Sequence, residues 1–368
     1  MNINVIIYLI IFIGGACASS NGSLKAKKTY VIICILAFLL LNSLRSLTVG
    51  ADTENYYYMF LHMKSLTWSE IWQTFVERYY YGISEDDIGY VLLVKAISYI
   101  TQDFHVFTFI AESLFFIPLG VLLYKYSRNC IHLVLAFSLY GALLNAIPIT
   151  NCRQTYAFGL CIITIIMYLE NYHRRLIPLV ILIAATIHLS ALLFFLPYIL
   201  VRFAKKLRSF HIISLILVPA VLADPNTIIR LMGNMSGKEQ YARYGENSVA
   251  GGTNTFVFLL VLLSIYILIS FYKAKLSKAD NKTIMLYTMA PLFTFFGPLI
   301  VSNGTMIRIS MYFHIYLVLL LPEATSFRFS RNSNIINILM ALILVYLSLS
   351  NSSNEYHFFW EIDPVTTW

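Results

Sequence analysis

The chain predicts an all-α, polytopic membrane protein, and three features lead there. It is 59% hydrophobic and only 12% charged over 368 residues, with a mean hydropathy of +0.72. Apolar runs of about 16 to 22 residues recur from end to end, each close to the length that crosses a hydrocarbon core. The basic residues gather in the short stretches between those runs. A water-soluble chain of this composition could not cover its apolar surface, so a bundle of roughly 10–12 transmembrane helices is expected. No segment is large enough to stand as a soluble domain, and residues 1–368 read as one membrane domain.

The first spans fall near 2–20 and 29–44. The first ends in "GGACASS", which resembles a signal-peptide cleavage site, but no Lys or Arg precedes its apolar core; it reads as a retained span. Further spans are expected near 104–124, 130–149, 154–170, 211–223, 254–272, 283–302, 307–322 and 334–350. Residues 88–101 are short and carry Lys95, which suits a helix lying at the interface. Residues 176–201 are apolar but contain Pro178, His188 and Pro197.

Charge sets the orientation. Basic residues cluster at 25–28, 125–128, 174–175, 202–208, 273–282 and 328–331, whereas acids fill 52–87 and the C-terminal tail. Lys and Arg mark the cytoplasmic side, so both termini and the long segments 45–103 and 224–253 are expected outside. Both flanks of 176–201 are then inside. Two half-helices of about 12 residues meeting near His188 satisfy this, as a re-entrant element resting on surrounding protein or a water-filled cavity. The net charge of +8 follows from the same loops and gives no reason to invoke nucleic acid. The five cysteines form no CxxC pair, and neither a disulfide framework nor a metal nor any other cofactor is implied.

Three arginines break the pattern at the outer boundary: Arg45 after the second span, Arg153 in "RQTYAFG" and Arg308 in "RISMYFHIY". Each alone suits a side chain snorkelling to headgroups. Together they suit a lipid-linked diphosphate, because a guanidinium fork matches phosphate oxygens. Asp52 in "VGADTENYYYMF" is either a general base or a loop acid neutralising Arg45, and His188 is either catalytic or satisfied by a neighbouring carbonyl. Glu112 suggests a structural hydrogen bond or a buried base as its partner. Asp86 and Asp87 read as a solvated turn or a helix start; with Asp52 and Glu54 they make only a weak case for a divalent ion. Tyrosine runs at 55–60 and 78–82 suit an interfacial belt or sugar stacking. The polar, Gly-rich 224–253 suggests a lid.

These blocks resemble the EpsG family. "LRSLTVGADTENYYYMF" is similar to its Arg…Gly-x-Asp-Thr-x-x-Tyr segment. "CRQTYAFGLCIITIIMYLENYHRRLIPLVILIAATIHLSALLFFLPYIL" is similar to its Arg-Gln-x-x-Ala helix, basic turn and His-x-Ser-Ala segment. "RISMYF" is similar to its late Arg-x-x-x-Tyr-Phe, and the set runs in order from about residue 42 to 322. Tyr156 stands where smaller residues are usual. The resemblance implies a Wzy-type polymerase of O-antigen, capsule or exopolysaccharide repeat units, similar to membrane glycosyltransferases that use polyprenyl-diphosphate sugars. It implies a multi-pass protein of the bacterial cytoplasmic (inner) membrane, active toward the periplasm or exterior, in lipopolysaccharide or related synthesis.

On that resemblance Arg153, Arg308 and Arg45 would bind the diphosphate, and Asp52 or His188 would take the acceptor's proton. Gln154, Tyr56 and Tyr312 would line the substrate. Donor and acceptor would both be undecaprenyl-diphosphate-linked oligosaccharides, with membrane lipid, a chain-length regulator and a flippase as further partners. A flippase or exporter of lipid-linked glycan, and an O-antigen ligase or acyltransferase, are the rival readings. No internal repeat is visible, which counts against many transporters.

Overall fold

Caps, glycines and prolines decide where the apolar runs become helices. The computed structural model describes residues 3–82, 87–236, 254–272, 279–301, 306–350 and 356–361. Among these, all regular structure is helical apart from an isolated antiparallel bridge between Arg45 and Phe358. Seven stretches are long and apolar enough to cross a membrane: Ile3–Asn21, Phe104–Tyr126, Cys130–Thr150, Cys152–Leu169, Leu189–Ala223, Asn281–Val301 and Leu317–Ser350. Side chains such as Ile13, Ile117, Ile183, Ile216 and Ile343 stand exposed along apolar helices, as a lipid-facing surface requires. The chain is an all-α, multi-pass membrane protein.

The residues that read as one membrane domain form two compact units, Met1–Phe194 with Ile338–Trp368, and Phe195–Asn337. In the first, α1 (Ile3–Asn21) turns through Gly22, at φ +67, into α2 (Leu24–Ser43), whose N-cap Ser23 accepts from the Ala26 N–H at 3.1 Å. Two short helices follow, α3 (Thr53–Ser65) and α4 (Trp68–Val76). A reciprocal Thr67–Glu70 capping box starts α4. A π-helical turn, Glu77–Tyr81, then ends at Gly82 with φ +67. Its Tyr79, Tyr80 and Tyr81, with Trp68 and Trp72 of α4, are exposed, the pattern of an aromatic interfacial belt.

Helix α5 (Ile88–Ser98) buries Ile88, Tyr90, Val91, Val94 and Ile97 against α3, α4, α6 and α10. The long α6 (Phe104–Tyr126) packs on α2 and on α9 (Cys152–Leu169). Gly159 sets the α6–α9 approach, because a Cβ there would lie 2.0 Å from the Leu114 carbonyl oxygen. Between them, the run expected at 130–149 divides into α7 (Cys130–Leu139), a π-helical turn Tyr140–Leu144, and α8 (Ala146–Thr150). Helix α10 (Ile177–Ile187) lies on α9 and α5. The chain then breaks at His188, in extended conformation (φ −155, ψ 115), before a 3-10 turn over Leu189–Phe194. The expected break at His188 is therefore present.

The second unit begins with α11 (Phe195–Leu200) and α12 (Leu207–Ala223), followed by α13 (Pro225–Ser236) and α14 (Asn254–Ser270). Helix α15 (Asn281–Phe296) is capped by Asp280, which accepts from the Thr283 N–H at 2.9 Å. A buried relay runs through this unit: His211 contacts the Tyr287 hydroxyl at 2.9 Å and Ser264 Oγ at 2.7 Å, and Ser264 meets Thr294 Oγ1 at 2.7 Å. The span expected at 307–322 is two helices, α16 (Ile307–His314) and α17 (Leu317–Phe329). Helix α18 (Ser333–Ser350) carries the chain back into the first unit. Most of the proposed lid, residues 237–253, lies outside the described residues.

Candidate functional site

Three pieces of chain meet in the first unit: the turn after α2, the end of α8 and the start of α9. Gly50 makes the meeting possible, since at φ +94 a Cβ would sit 2.6 Å from the Ile149 carbonyl oxygen. The Thr53 hydroxyl donates to the Val49 carbonyl at 2.6 Å, which holds the turn, and accepts from Arg45 Nε at 3.1 Å.

Arg45 is 2% exposed, and its fork is used inside the protein. Nη1 donates to Glu112 Oε1 at 3.1 Å and to the Asn42 carbonyl; Nη2 donates to Cys152 Sγ at 3.3 Å. The buried base expected for Glu112 is thus Arg45. The pair ties α2 and α6 to the first residue of α9, directly before Arg153. The C-terminal segment adds a strap: the Ser46 N–H donates to the His357 carbonyl at 2.9 Å, and the Phe359 N–H to the Leu44 carbonyl at 3.0 Å.

Arg153 sits differently. It occupies the first turn of α9, where the helix already carries partial positive charge, so a cation there is favourable only beside an anion. The anion is Asp87. Its Oδ2 lies 3.6 Å from Arg153 Nη1 and its Oδ1 3.5 Å from Arg78 Nη2, so one carboxylate bridges two guanidinium groups. Both distances exceed those of tight charge-assisted hydrogen bonds, about 2.7–2.9 Å. Asp87 is also the N-cap of α5 yet makes no side-chain cap bond, being turned toward the arginines instead.

Tyrosines wall this cluster. The Arg153 guanidinium lies 5.9 Å from the Tyr56 ring and 5.7 Å from the Tyr90 ring, and Tyr90 stacks on Tyr156 at 6.3 Å. Arg153 Nε, Tyr90 Oη and Tyr156 Oη are buried with no hydrogen-bond partner among the described residues. Buried polar atoms without a partner recur elsewhere among the described residues, as at Tyr140, His314 and Asn337, so these three alone do not mark a ligand site.

Of the other expected residues, three lie in the first unit and two in the second. Asp52 is half-buried at the N-cap of α3, one turn before Tyr56. Gln154 follows Arg153 and is 1% exposed. His188 is half-buried at the end of α10, its Nδ1 2.8 Å from Ser190 Oγ. Gly89 brings that end onto α5, because a Cβ there would lie 2.8 Å from the Ile187 nitrogen. Arg308 and Tyr312 lie on α16 in the second unit, Arg308 half-buried and Tyr312 fully buried.

Asp87 stands at a helix start, one of the two readings its sequence allows, but is 7% exposed rather than solvated, and Arg78 is not a candidate from sequence. The available signal was Asp87 standing directly before an apolar run containing Tyr90. Asp87 is engaged by arginines, Asp86 lies outside the described residues, and among those described no group of three His, Cys, Asp or Glu gathers. A family model described as the EpsG family matches residues 28–360. No curated protein matches the chain, and no solved structure does.

Proposed function

The chain belongs to the EpsG family, and on that premise we propose that it is a polymerase joining lipid-linked oligosaccharide repeat units by glycosyl transfer. The family supports a polysaccharide-polymerase type of role. The donor we assign is an oligosaccharide on undecaprenyl diphosphate, used at the extracytoplasmic face of the bacterial cytoplasmic membrane. One observation carries the assignment: Arg153 and Arg78 face the same Asp87 carboxylate, at 3.6 and 3.5 Å, with the Tyr56 and Tyr90 rings against Arg153.

In this reading the donor's diphosphate takes the place of the Asp87 carboxylate between the two guanidinium groups. The bond from the anomeric carbon to the diphosphate oxygen breaks, and its electron pair stays on the diphosphate. A bond forms from the same carbon to the acceptor's hydroxyl oxygen, whose proton passes to Asp52 or His188. Negative charge on the leaving diphosphate grows along this path. Cations fixed in a low-dielectric site therefore stabilise the transition state more than the bound donor. Arg45 acts as a positioning residue, since its donors hold Glu112, Thr53, Asn42 and Cys152. Arg308 and Tyr312 remain candidates through their motif, and Arg308→Ala tests that separately.

The test is mass spectrometry of lipid-linked glycans after purified protein meets undecaprenyl-diphosphate-linked repeat units. Wild type yields products two, three and more units long. Arg153→Ala loses about 10²–10³ in rate, the scale of a lost oxyanion donor. An unchanged chain-length distribution from well-folded Arg153→Ala ends the proposal.

A further inference from the structure

A concavity of about 310 Å³ in the first unit is lined by none of the residues of the arginine cluster. Helix α3 supplies one wall through Tyr57, Phe60, Leu61 and Lys64, a stripe with the spacing of one helical face. The start of α6 supplies Asp103, Phe104 and His105, and the C-terminal strap supplies Phe359. The volume is at the low end for small-molecule sites, which span about 300–1,000 Å³.

The lining has two characters. Tyr57 meets Phe104 edge-on at 5.4 Å, Phe60 lies 5.7 Å from Phe104, and Phe359 stacks on the His105 ring at 4.2 Å; Phe60 and Phe104 are buried, so Tyr57 and Phe359 carry the accessible ring surface. The polar groups keep unused capacity. Asp103 Oδ1 accepts the Val106 N–H at 2.9 Å, which leaves Oδ2 as an acceptor. His105 Nδ1 donates to the Ser43 carbonyl at 3.1 Å, which leaves Nε2 as an acceptor. Gln102 Nε2 donates to the Ser98 carbonyl at 2.5 Å, which leaves its amide oxygen. Lys64 donates to the Gln102 carbonyl at 3.2 Å and stands 4.8 Å over the Phe60 ring, and with Asp103 it brings one charge of each sign to the lining.

A lipid tail would cover these polar groups without bonding them, and the opposite charges of Lys64 and Asp103 give the lining no net preference for an anion. The ligand that matches is neutral, carries many hydroxyl donors and offers apolar faces to aromatic rings. We propose that this cavity is a saccharide-binding subsite, closed on one side by Phe359 of the C-terminal strap. Its geometry suggests a role. The same helix α3 presents Tyr56 to Arg153 and Tyr57 to this cavity, so a sugar held here belongs to the acceptor or to the growing chain. That role rests on the polymerase reading; saccharide binding itself does not.

The experiment is saturation-transfer NMR on the full-length protein in detergent. Its probes are the methyl glycosides of glucose, galactose, rhamnose, N-acetylglucosamine and N-acetylgalactosamine. We expect transfer to at least one probe, weakened about tenfold in affinity by Phe359→Ala and by Asp103→Asn. Asn keeps the helix cap of α6, so the second variant retains the fold. Arg153→Ala leaves probe binding unchanged. No transfer to any probe, or transfer indifferent to both cavity variants, overturns the subsite. If wild type binds sugars here yet makes no polymer, the enzyme reading fails and the subsite stands. If Arg153→Ala stops polymerisation while both cavity variants bind and polymerise like wild type, the subsite alone fails.

Discussion

Asp87 bridges Arg78 and Arg153 with its two oxygens, and neither contact is short. A carboxylate so placed neutralises the cations until a stronger anion arrives, and it also competes with that anion. Asp87→Asn removes the competitor's charge while keeping its shape. On the proposed reading, the apparent KM for the lipid-linked donor should fall about three- to tenfold in steady-state assays. A rise would mean that Asp87 acts on the substrate instead of holding its place. Arg45 calls for a different test, because its partners are all protein atoms. Glu112→Ala leaves a buried cation unpaired and should cost about 3–5 kcal/mol in thermal or denaturant unfolding. The double variant Arg45→Met with Glu112→Leu replaces the pair by apolar groups and should recover most of that stability. If the double variant is stable and still polymerises within about tenfold of wild type, Arg45 is positional. A stable but inactive double variant would assign it to the substrate.

Helices α6 and α9 are the elements on which the site depends. Their approach at Gly159 leaves no room for a side chain, since the Leu114 carbonyl oxygen occupies the space a Cβ would need. Gly159→Ala must therefore push α9 away, at about 1–3 kcal/mol, and should lower polymerisation more than it lowers melting temperature. The reason is geometric: Arg153 opens the helix that moves, whereas Asp87 is carried by α5. Normal activity with a lowered melting temperature would show that the site tolerates the shift. Hydropathy alone joins elements that the structure separates, because a π-helical turn at Tyr140–Leu144 and a break at Ile315–Tyr316 interrupt apolar runs. The break at His188 was legible because basic residues flank that run on both sides, with prolines and an ionisable group inside it.

For the whole molecule, the proposed orientation sets Glu54 outside and Arg328 inside. Single cysteines at these exposed positions, in a chain freed of its native thiols, should divide cleanly. An impermeant maleimide applied to intact cells should label Glu54→Cys and spare Arg328→Cys. The reverse pattern would move the arginine cluster to the cytoplasm and remove the extracytoplasmic donor from the reading.

Composition by itself determined the membrane class and the all-α architecture. Hydrocarbon offers no partner for backbone polar groups, so long apolar runs are left with the helix, which satisfies its own. The ordered motifs likewise pointed to the family without any coordinates. Which arginine is open to a ligand and which is locked away was decided only by tertiary structure. Arg45 and Arg153 look alike as cations beside apolar runs, yet one is held by Glu112, 67 residues away, and the other faces Asp87 and two tyrosines. Availability depends on partners that folding brings from distant parts of the chain, and no local pattern encodes them.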